Sequence, residues 1–396
     1  MKVLMVLDEK FPPDVRVENE MKTLMDAGHQ ITLLCYTRTH EAAEDKYGDA
    51  RVIRVPISRM MYKMKALSLS IPFYFSFWKK HIRNALKTGD FEVIHVHDLP
   101  LLKPCLELAG KHGIKVIGDF HENRPEIMKM YHHVNSFPGN MLISINKWLN
   151  YQRYYSSKAD YLILVTPEAK EYYHKEYDVA LDRIYVVPNY TDPEKLLKIE
   201  PDPEIINRYK DKFTLTYLGN TGIRRGTRTI IEAARMLKED KGFHFVIIGE
   251  SSEQDLLKAL VDQDGLTNVE LPGYVPFQKA ASYIMASKAG LCPFLRNIHH
   301  DTTYANKMFQ YMAYGKAIIA SDCTSQANVV NEVECGLVFK ADDPGDLVEK
   351  IQALKDKDLL EKFAVNGHNA VINKYNTRMG NKALTELYNS IQEQHH

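Results

Sequence analysis

The chain has 396 residues with 51 Lys plus Arg against 51 Asp plus Glu. At about 150 residues per domain that length predicts two domains, three at most. Apolar content of 45%, charged content of 26% and aromatic content of 10% exclude a disordered, collagen-like or coiled-coil chain, and zero net charge argues against a general nucleic-acid binder.

Five scattered cysteines form no CxxC pair, which predicts a reducing compartment, no disulfide frame and no zinc site. Met1 to Leu7 is apolar, but Asp8 and Glu9 follow at once, too soon for a secretory signal. No segment reaches the roughly 20 apolar residues of a membrane helix. The expectation is a cytoplasmic protein.

Short apolar runs alternate with amphipathic segments from the start. Val3 to Leu7 predicts a buried strand, Val17 to Ala27 a helix ended by Gly28, and Gln30 to Cys35 the next strand. Val52 to Val55, Val93 to Val96, Lys115 to Ile117, Tyr161 to Val165 and Ile184 to Val187 continue the series. Apolar strands separated by helices imply a parallel sheet covered on both faces.

The rhythm restarts at Phe213 to Leu218, then Gly219 and a helix from about Arg228 to Glu239. Strands are expected at Phe243 to Ile248, Val269 to Leu271, Ala289 to Cys292, Ala317 to Ala320 and Leu337 to Phe339. Pro188-Asn189-Tyr190 and the polar stretch Asp192 to Pro203, with three prolines, suggest a hinge. Two doubly wound α/β domains are predicted, residues 1–190 and 205–374, the first completed by a terminal helix over 377–392. A cleft between them is the default ligand site.

Gly219-Asn220-Thr221-Gly222-Ile223-Arg224-Arg225-Gly226 lies between a strand and a helix. Glycines there free the backbone to wrap an anion, the helix start offers N–H groups, and Arg suits phosphate. A turn with solvated arginines is the plain alternative. Asn306 to Gly315 predicts a second helix entered from a polar loop, with Lys307 in its first turn near the same anion. His299 and His300 are neighbours on that loop, a poor arrangement for one ion, so no metal is expected.

The strand and Arg-Gly turn, then Gly273-Tyr274-Val275-Pro276, then Asn306-Lys-Met-Phe-Gln-Tyr-Met-Ala-Tyr-Gly-Lys-Ala-Ile-Ile-Ala-Ser-Asp322, together resemble the nucleotide-sugar domain of glycosyltransferase family 4. Phe11 to Val17, Val93 to Asp98 and Gly118 to Glu122 resemble that family's first half. The resemblance covers nearly the whole chain and rests on motif order and spacing.

It implies the GT-B fold, two facing Rossmann-like domains with the donor in the cleft, and retaining transfer without a metal. No cofactor is implied, the nucleotide-sugar donor being a substrate. Gly219, Asn220, Arg224, Tyr274, Val275, Asp301, Thr302, Thr303, Tyr304 and Gln310 fall at donor-binding positions. Arg225 and Lys307 fall where the family stabilises the leaving diphosphate. His121 matches the histidine that meets the donor sugar, while Asp14, Arg16, His97 and Glu122 fall on the acceptor side.

The sequence departs from the family at two acids. Gln310 stands at the glutamate that holds the ribose, and an amide oxygen can still accept there. Thr302 stands at the glutamate facing the sugar, with Asp301 or Thr303 as substitutes. Asn220 takes the place of one pyrophosphate cation, with Arg224 to compensate.

Residues 58–89 carry seven Lys or Arg and no Asp or Glu, interleaved with Met60, Met61, Tyr62, Phe73 and Trp78. Basic plus aromatic character suits an anionic membrane surface; a core helix with basic edges is the alternative. Met128 to Tyr155 is similarly aromatic and reads either as an acceptor wall or as a packed helix pair. The expectation is a hexosyltransferase using a UDP or GDP sugar. Its acceptor is a glycan or lipid-linked molecule of cell-surface polysaccharide synthesis, met on the inner face of the membrane. A nucleotide-sugar epimerase of the same fold and a non-catalytic nucleotide-binding partner in polysaccharide assembly are the alternatives.

Overall fold

The structure is a computed structural model that describes residues 1–39 and 41–394. The chain divides into two compact units, Met1–Asn189 with Gly380–His396, and Tyr190–Met379. The first carries strands β1 (Lys2–Lys10), β2 (Gln30–Thr37), β3 (Glu44–Tyr47), β4 (Ala50–Pro56), β5 (Val93–His97), β6 (Lys115–Phe120), β7 (Tyr161–Leu164) and β8 (Ile184–Val186). Their order is β3-β4-β2-β1-β5-β6-β7-β8, and every pair except β3/β4 is parallel.

The apolar runs follow from burial on both faces. Along β1, Val3, Met5 and Leu7 enter one core while Leu4 and Val6 enter the other. Strand side chains alternate, so a two-sided core needs an unbroken apolar sequence. The exception is β3, which the sequence reading does not contain. Its residues Glu44-Asp-Lys-Tyr are polar and pair only with β4 at the sheet edge. Charged edge residues discourage pairing with another chain.

The helix Val15–Asp26 starts because the Asp14 carboxylate accepts the Val17 N–H at 3.1 Å. Loss of such a cap costs about 1 kcal/mol. Its buried face holds Arg16, Val17, Glu20, Met21 and Leu24, so two charged residues point inward. At the far end of the chain, the expected helix over 377–392 is two pieces, Thr377–Gly380 and Lys382–Gln394. The longer piece returns to the first unit and places Leu384, Leu387, Tyr388 and Ile391 in the same core as Val3, Met5 and Leu7.

The second unit carries β9 (Phe213–Leu218), β10 (Phe243–Ile248), β11 (Val269–Gly273), β12 (Ala289–Cys292), β13 (Ala317–Ser321) and β14 (Gly336–Phe339). The order is β11-β10-β9-β12-β13-β14, all parallel. The boundary between the units falls at Asn189/Tyr190, inside the stretch expected as a hinge, and the residues after it are fastened to this unit. Tyr314 donates to the Leu196 carbonyl at 2.8 Å, and the Asp202 N–H bonds Ser282 Oγ at 2.9 Å. Both sheets are doubly wound, with strand order reversing between β1 and β5 and between β9 and β12. Ligands of such sheets bind beyond the carboxyl ends of the strands at these reversals.

Candidate functional site

In the second unit the reversal lies between Leu218 and Cys292. Gly219 follows β9 with φ +129°, and Gly249 follows β10 with the same φ. The two loops touch through backbone: a Cβ on Gly249 would lie 1.9 Å from the Gly219 carbonyl oxygen. A Cβ on Gly226 would lie 1.6 Å from the Pro293 carbonyl. These glycines let the ends of β9, β10 and β12 converge. Asn220 folds the turn itself, accepting the Gly222 N–H at 3.1 Å and donating to the Glu250 carbonyl at 3.3 Å.

Two cations share one aromatic floor here. The Arg225 guanidinium lies 4.8 Å and the Lys307 ammonium 5.2 Å from the centre of the Phe294 ring. Lys307 also lies 3.5 Å over the Tyr217 ring, and a side chain on Gly219 would press on its Nζ at 3.2 Å. Burial pushes the Lys307 ammonium well below its usual range, and Arg225 adds repulsion. An anion placed beside both groups would relieve that cost. Neither Tyr217 nor Phe294 is among the sequence candidates for the site; their signal is position alone, at or just beyond a strand end.

The other donor-side candidates separate. Gln310 is half-buried on the helix Asn306–Ala313, and Tyr274 is exposed beside half-buried Val275. Arg224 is half-buried in the same turn as Arg225. Asp301 caps the helix Thr324–Val333, accepting the Thr324 N–H at 2.8 Å, and faces Arg296 at 3.5 Å. Thr302 and Thr303 are buried and donate their hydroxyls to the Ile298 and His299 carbonyls at 2.7 Å each. Tyr304 stacks on Tyr190. Asp301, Thr302 and Thr303 thus serve the loop's own fold.

In the first unit the carboxyl ends of β5 and β6 hold a buried polar cluster. Asp119 Oδ1 accepts from Arg16 Nη2 at 2.8 Å. Its Oδ2 faces His97 Nδ1 and His121 Nε2 at 3.2 Å each and His95 Nε2 at 3.5 Å. Arg16 also donates to the Val187 carbonyl at 2.9 Å and lies 3.0 Å from Glu20 Oε1. His95 Nδ1 meets the Tyr388 hydroxyl at 2.9 Å.

Burial raises the Glu20 carboxyl to about 8 and lowers His97 to about 4. Burial would raise Asp119 too, but Arg16 and His121 outweigh it and hold this carboxyl well below its usual range. For His121, burial works against charge, yet Asp98 and Asp119 prevail and lift it to about 9.

His97 and Arg16 therefore lie inside the unit rather than on an acceptor-facing surface: His97 is fully buried and Arg16 nearly so. Asp14 is occupied as a helix cap. His121 and Glu122 remain partly open to solvent. Glu20, His95 and Asp119 are not among the sequence candidates. The available signal was Glu20 four residues after Arg16 on one helix face.

Glu20, His95, His97 and Asp119 place one ligand-type atom each within 4.8 Å of one another, the one such group among the described residues. Arg16 already supplies the positive charge, bonded to one carboxylate and beside the other.

Residues 14–195 match the model of Glycosyltransferase Family 4, and residues 212–357 that of Glycosyl transferases group 1. An uncharacterized glycosyltransferase of Methanocaldococcus jannaschii is 23% identical over 237 residues, 59% of this chain and 59% of that protein. The phosphatidyl-myo-inositol mannosyltransferase of Mycolicibacterium smegmatis is 18% identical over 93% of this chain and 88% of its own.

Among solved structures, the sucrose-phosphate synthase of Thermosynechococcus elongatus superposes with TM-score 0.79 at 16% identity, covering 99% of both chains. HepE of Anabaena, solved with UDP and glucose, gives 0.69 at 12% identity over 98% of this chain and 100% of its own. Two family models in tandem, on two doubly wound units, have one reading: the chain belongs to the GT-B glycosyltransferases, a family 4 domain followed by a group 1 domain.

Proposed function

We propose that this enzyme moves a hexose, with retention, from a UDP or GDP sugar to a glycan or lipid-linked acceptor in cell-surface polysaccharide synthesis. The convergence of Arg225 and Lys307 on Phe294, beside the glycine turn, carries the reading. Two cations held over apolar rings need no reorganisation to offset the charge of a leaving diphosphate, and preorganised charge is usually the largest catalytic term. The UDP and glucose bound by HepE support a uridine donor, and the name of the mycobacterial relative supports a lipid-linked acceptor. Gln310 accepts a ribose hydroxyl, and His121 contributes the imidazole that meets the sugar.

A thermal-shift panel with UDP, GDP, ADP, dTDP and CDP, with and without Mg²⁺, tests the donor site. A ligand at 100 times its Kd adds about 2.7 kcal/mol. One nucleotide that raises Tm without metal supports the reading. No shift with any of them would leave the altered acids as signs of a lost donor site.

The acceptor is met at an anionic membrane surface. Met60 and Phe73 are 72% and 65% exposed, and Phe137 and Met141 are also exposed. The two segments are tied where Ser70 Oγ bonds the Leu142 carbonyl at 3.3 Å. Lys65 is occupied by Asp8 and Glu9, and Lys79 by Glu107, which leaves five cations of the run for lipid. Trp78, Trp148 and Tyr151 are core, so the contact falls to the helix ends. No helix among the described residues is long and apolar enough to cross a membrane, which fits peripheral attachment.

A further inference from the structure

His121 lies between two carboxylates of different character. Inward, Nε2 is 3.2 Å from Asp119 Oδ2. Outward, Nδ1 is 3.8 Å from Asp98 Oδ1, too long for a hydrogen bond. Asp119 is fully buried, whereas the side chains of His121 and Asp98 are 22% and 28% exposed. Asp119 is itself immobilised. Arg16 holds its Oδ1, and Arg16 is in turn held by the Val187 carbonyl. The Asp98 N–H donates to the Asp119 carbonyl at 2.8 Å, with Asp98 at φ +64°. The turn that carries Asp98 is thus fixed to the strand that carries Asp119.

We propose that Asp119 is a positioning residue that locks the His121 ring with Nε2 inward, so that Nδ1, facing Asp98, is the edge offered to a sugar hydroxyl. The inference rests on the role given to His121 above. A ring nitrogen bonded to a buried carboxylate fixes which nitrogen is free to act. The 3.8 Å gap between Nδ1 and Asp98 leaves both groups free to bond one hydroxyl from two sides. Asp98 thereby joins the substrate-contacting residues.

The charged groups facing His121 are Asp98 on the turn after β5, His97 on β5, Asp119 on β6, and Arg16 and Glu20 on the helix Val15–Asp26. His97 is buried and depressed, and Glu20 is protonated near neutrality, so Asp119 and Asp98 set the charge of His121 against Arg16.

The test uses the full chain with Asp119→Asn, Asp98→Asn and His121→Ala. Asparagine keeps an acceptor for Arg16 and removes the charge. Fold is checked by Tm and by the nucleotide shift. Turnover is read as UDP released from UDP-glucose, or GDP from GDP-mannose, according to which nucleotide stabilises the protein. Ring ¹⁵N spectra of His121 are followed against pH without substrate.

Asp119→Asn is expected to lower kcat at least 30-fold with donor KM within about twofold, and to move the His121 titration down by at least one pH unit. Asp98→Asn is expected to lower kcat while the ring keeps its Nε2-inward state. A kcat for Asp119→Asn within twofold of the parent, with His121→Ala inactive, overturns the inference alone. Full turnover in His121→Ala overturns the role of His121 and the inference with it. If Asp119→Asn does not fold, an unchanged His121 titration in Asp98→Asn, with kcat also unchanged, overturns it.

Discussion

Arg225 and Lys307 are held against one ring, Phe294, at 4.8 and 5.2 Å from its centre. The pairing places two basic groups side by side on an apolar surface, with no carboxylate among the described residues bonded to Lys307. Such an arrangement is costly until an anion arrives. Lys307→Ala should therefore lower kcat by roughly 10²–10³ while leaving the ligand-free Tm unchanged or slightly raised. Steady-state kinetics beside a melting curve checks it. A large drop in Tm with kcat intact would show Lys307 to be structural.

Gln310 stands where the family's ribose-binding acid is expected. One neutral hydrogen bond is worth about 0.5–1.5 kcal/mol, or roughly 2- to 12-fold in affinity. Gln310→Ala should raise the donor KM within that range and leave kcat nearly unchanged. Isothermal titration with the bare nucleoside diphosphate should give the same ratio.

Gly249 governs the donor turn from the neighbouring loop. A methyl there would meet the Gly219 carbonyl at 1.9 Å, so Gly249→Ala must shift the turn that carries Arg225. The expected result is a Tm lower by on the order of 10 °C, from overpacking plus positive-φ strain, and no nucleotide shift. Gly265 also has positive φ but has open space around it. Gly265→Ala should cost only the backbone strain and keep the nucleotide shift.

Glu270 gives the second unit an acid-sensitive joint. Burial would raise its carboxyl, but His244, Tyr209 and Arg208 outweigh that and hold it at about 2. A depressed carboxyl stabilises the fold above its unfolded value of about 4.3, and the contribution is lost as pH falls from there towards 2. Glu270→Gln should flatten that stretch of the stability curve. Urea melts between pH 2 and 6 provide the comparison.

The exposed apolar ends near Met60 and Phe73 should bind anionic vesicles. Co-sedimentation with phosphatidylglycerol vesicles is expected, with little binding to phosphatidylcholine and loss at high salt. Met60→Asp with Phe73→Asp should abolish it without lowering Tm, because neither side chain is in the core. Equal binding to both lipids would remove the electrostatic part of the proposal.

Sequence alone determined the architecture. Two series of apolar runs separated by amphipathic segments can only be strands buried on both faces, and the break near Asn189 divides them. It also marked the glycine and arginine turn between a strand and a helix, because those residues carry their conformational reason locally. Edge strand β3 was invisible, since a polar strand at a sheet edge has no buried face to mark it.

Tertiary structure decided which chemical groups are free. His97, Asp98, Asp119 and His121 read alike in sequence, all near strand ends. Only the fold shows that His97 and Asp119 point inward to Arg16 and Glu20, while His121 and Asp98 open outward. Thr302 and Thr303, expected at the donor, bond their own loop. Burial and partnering come from segments far apart in the chain, here residues 16, 119, 187 and 388 meeting in one cluster. No local pattern records such meetings, because the physical cause is the packing of the whole sheet.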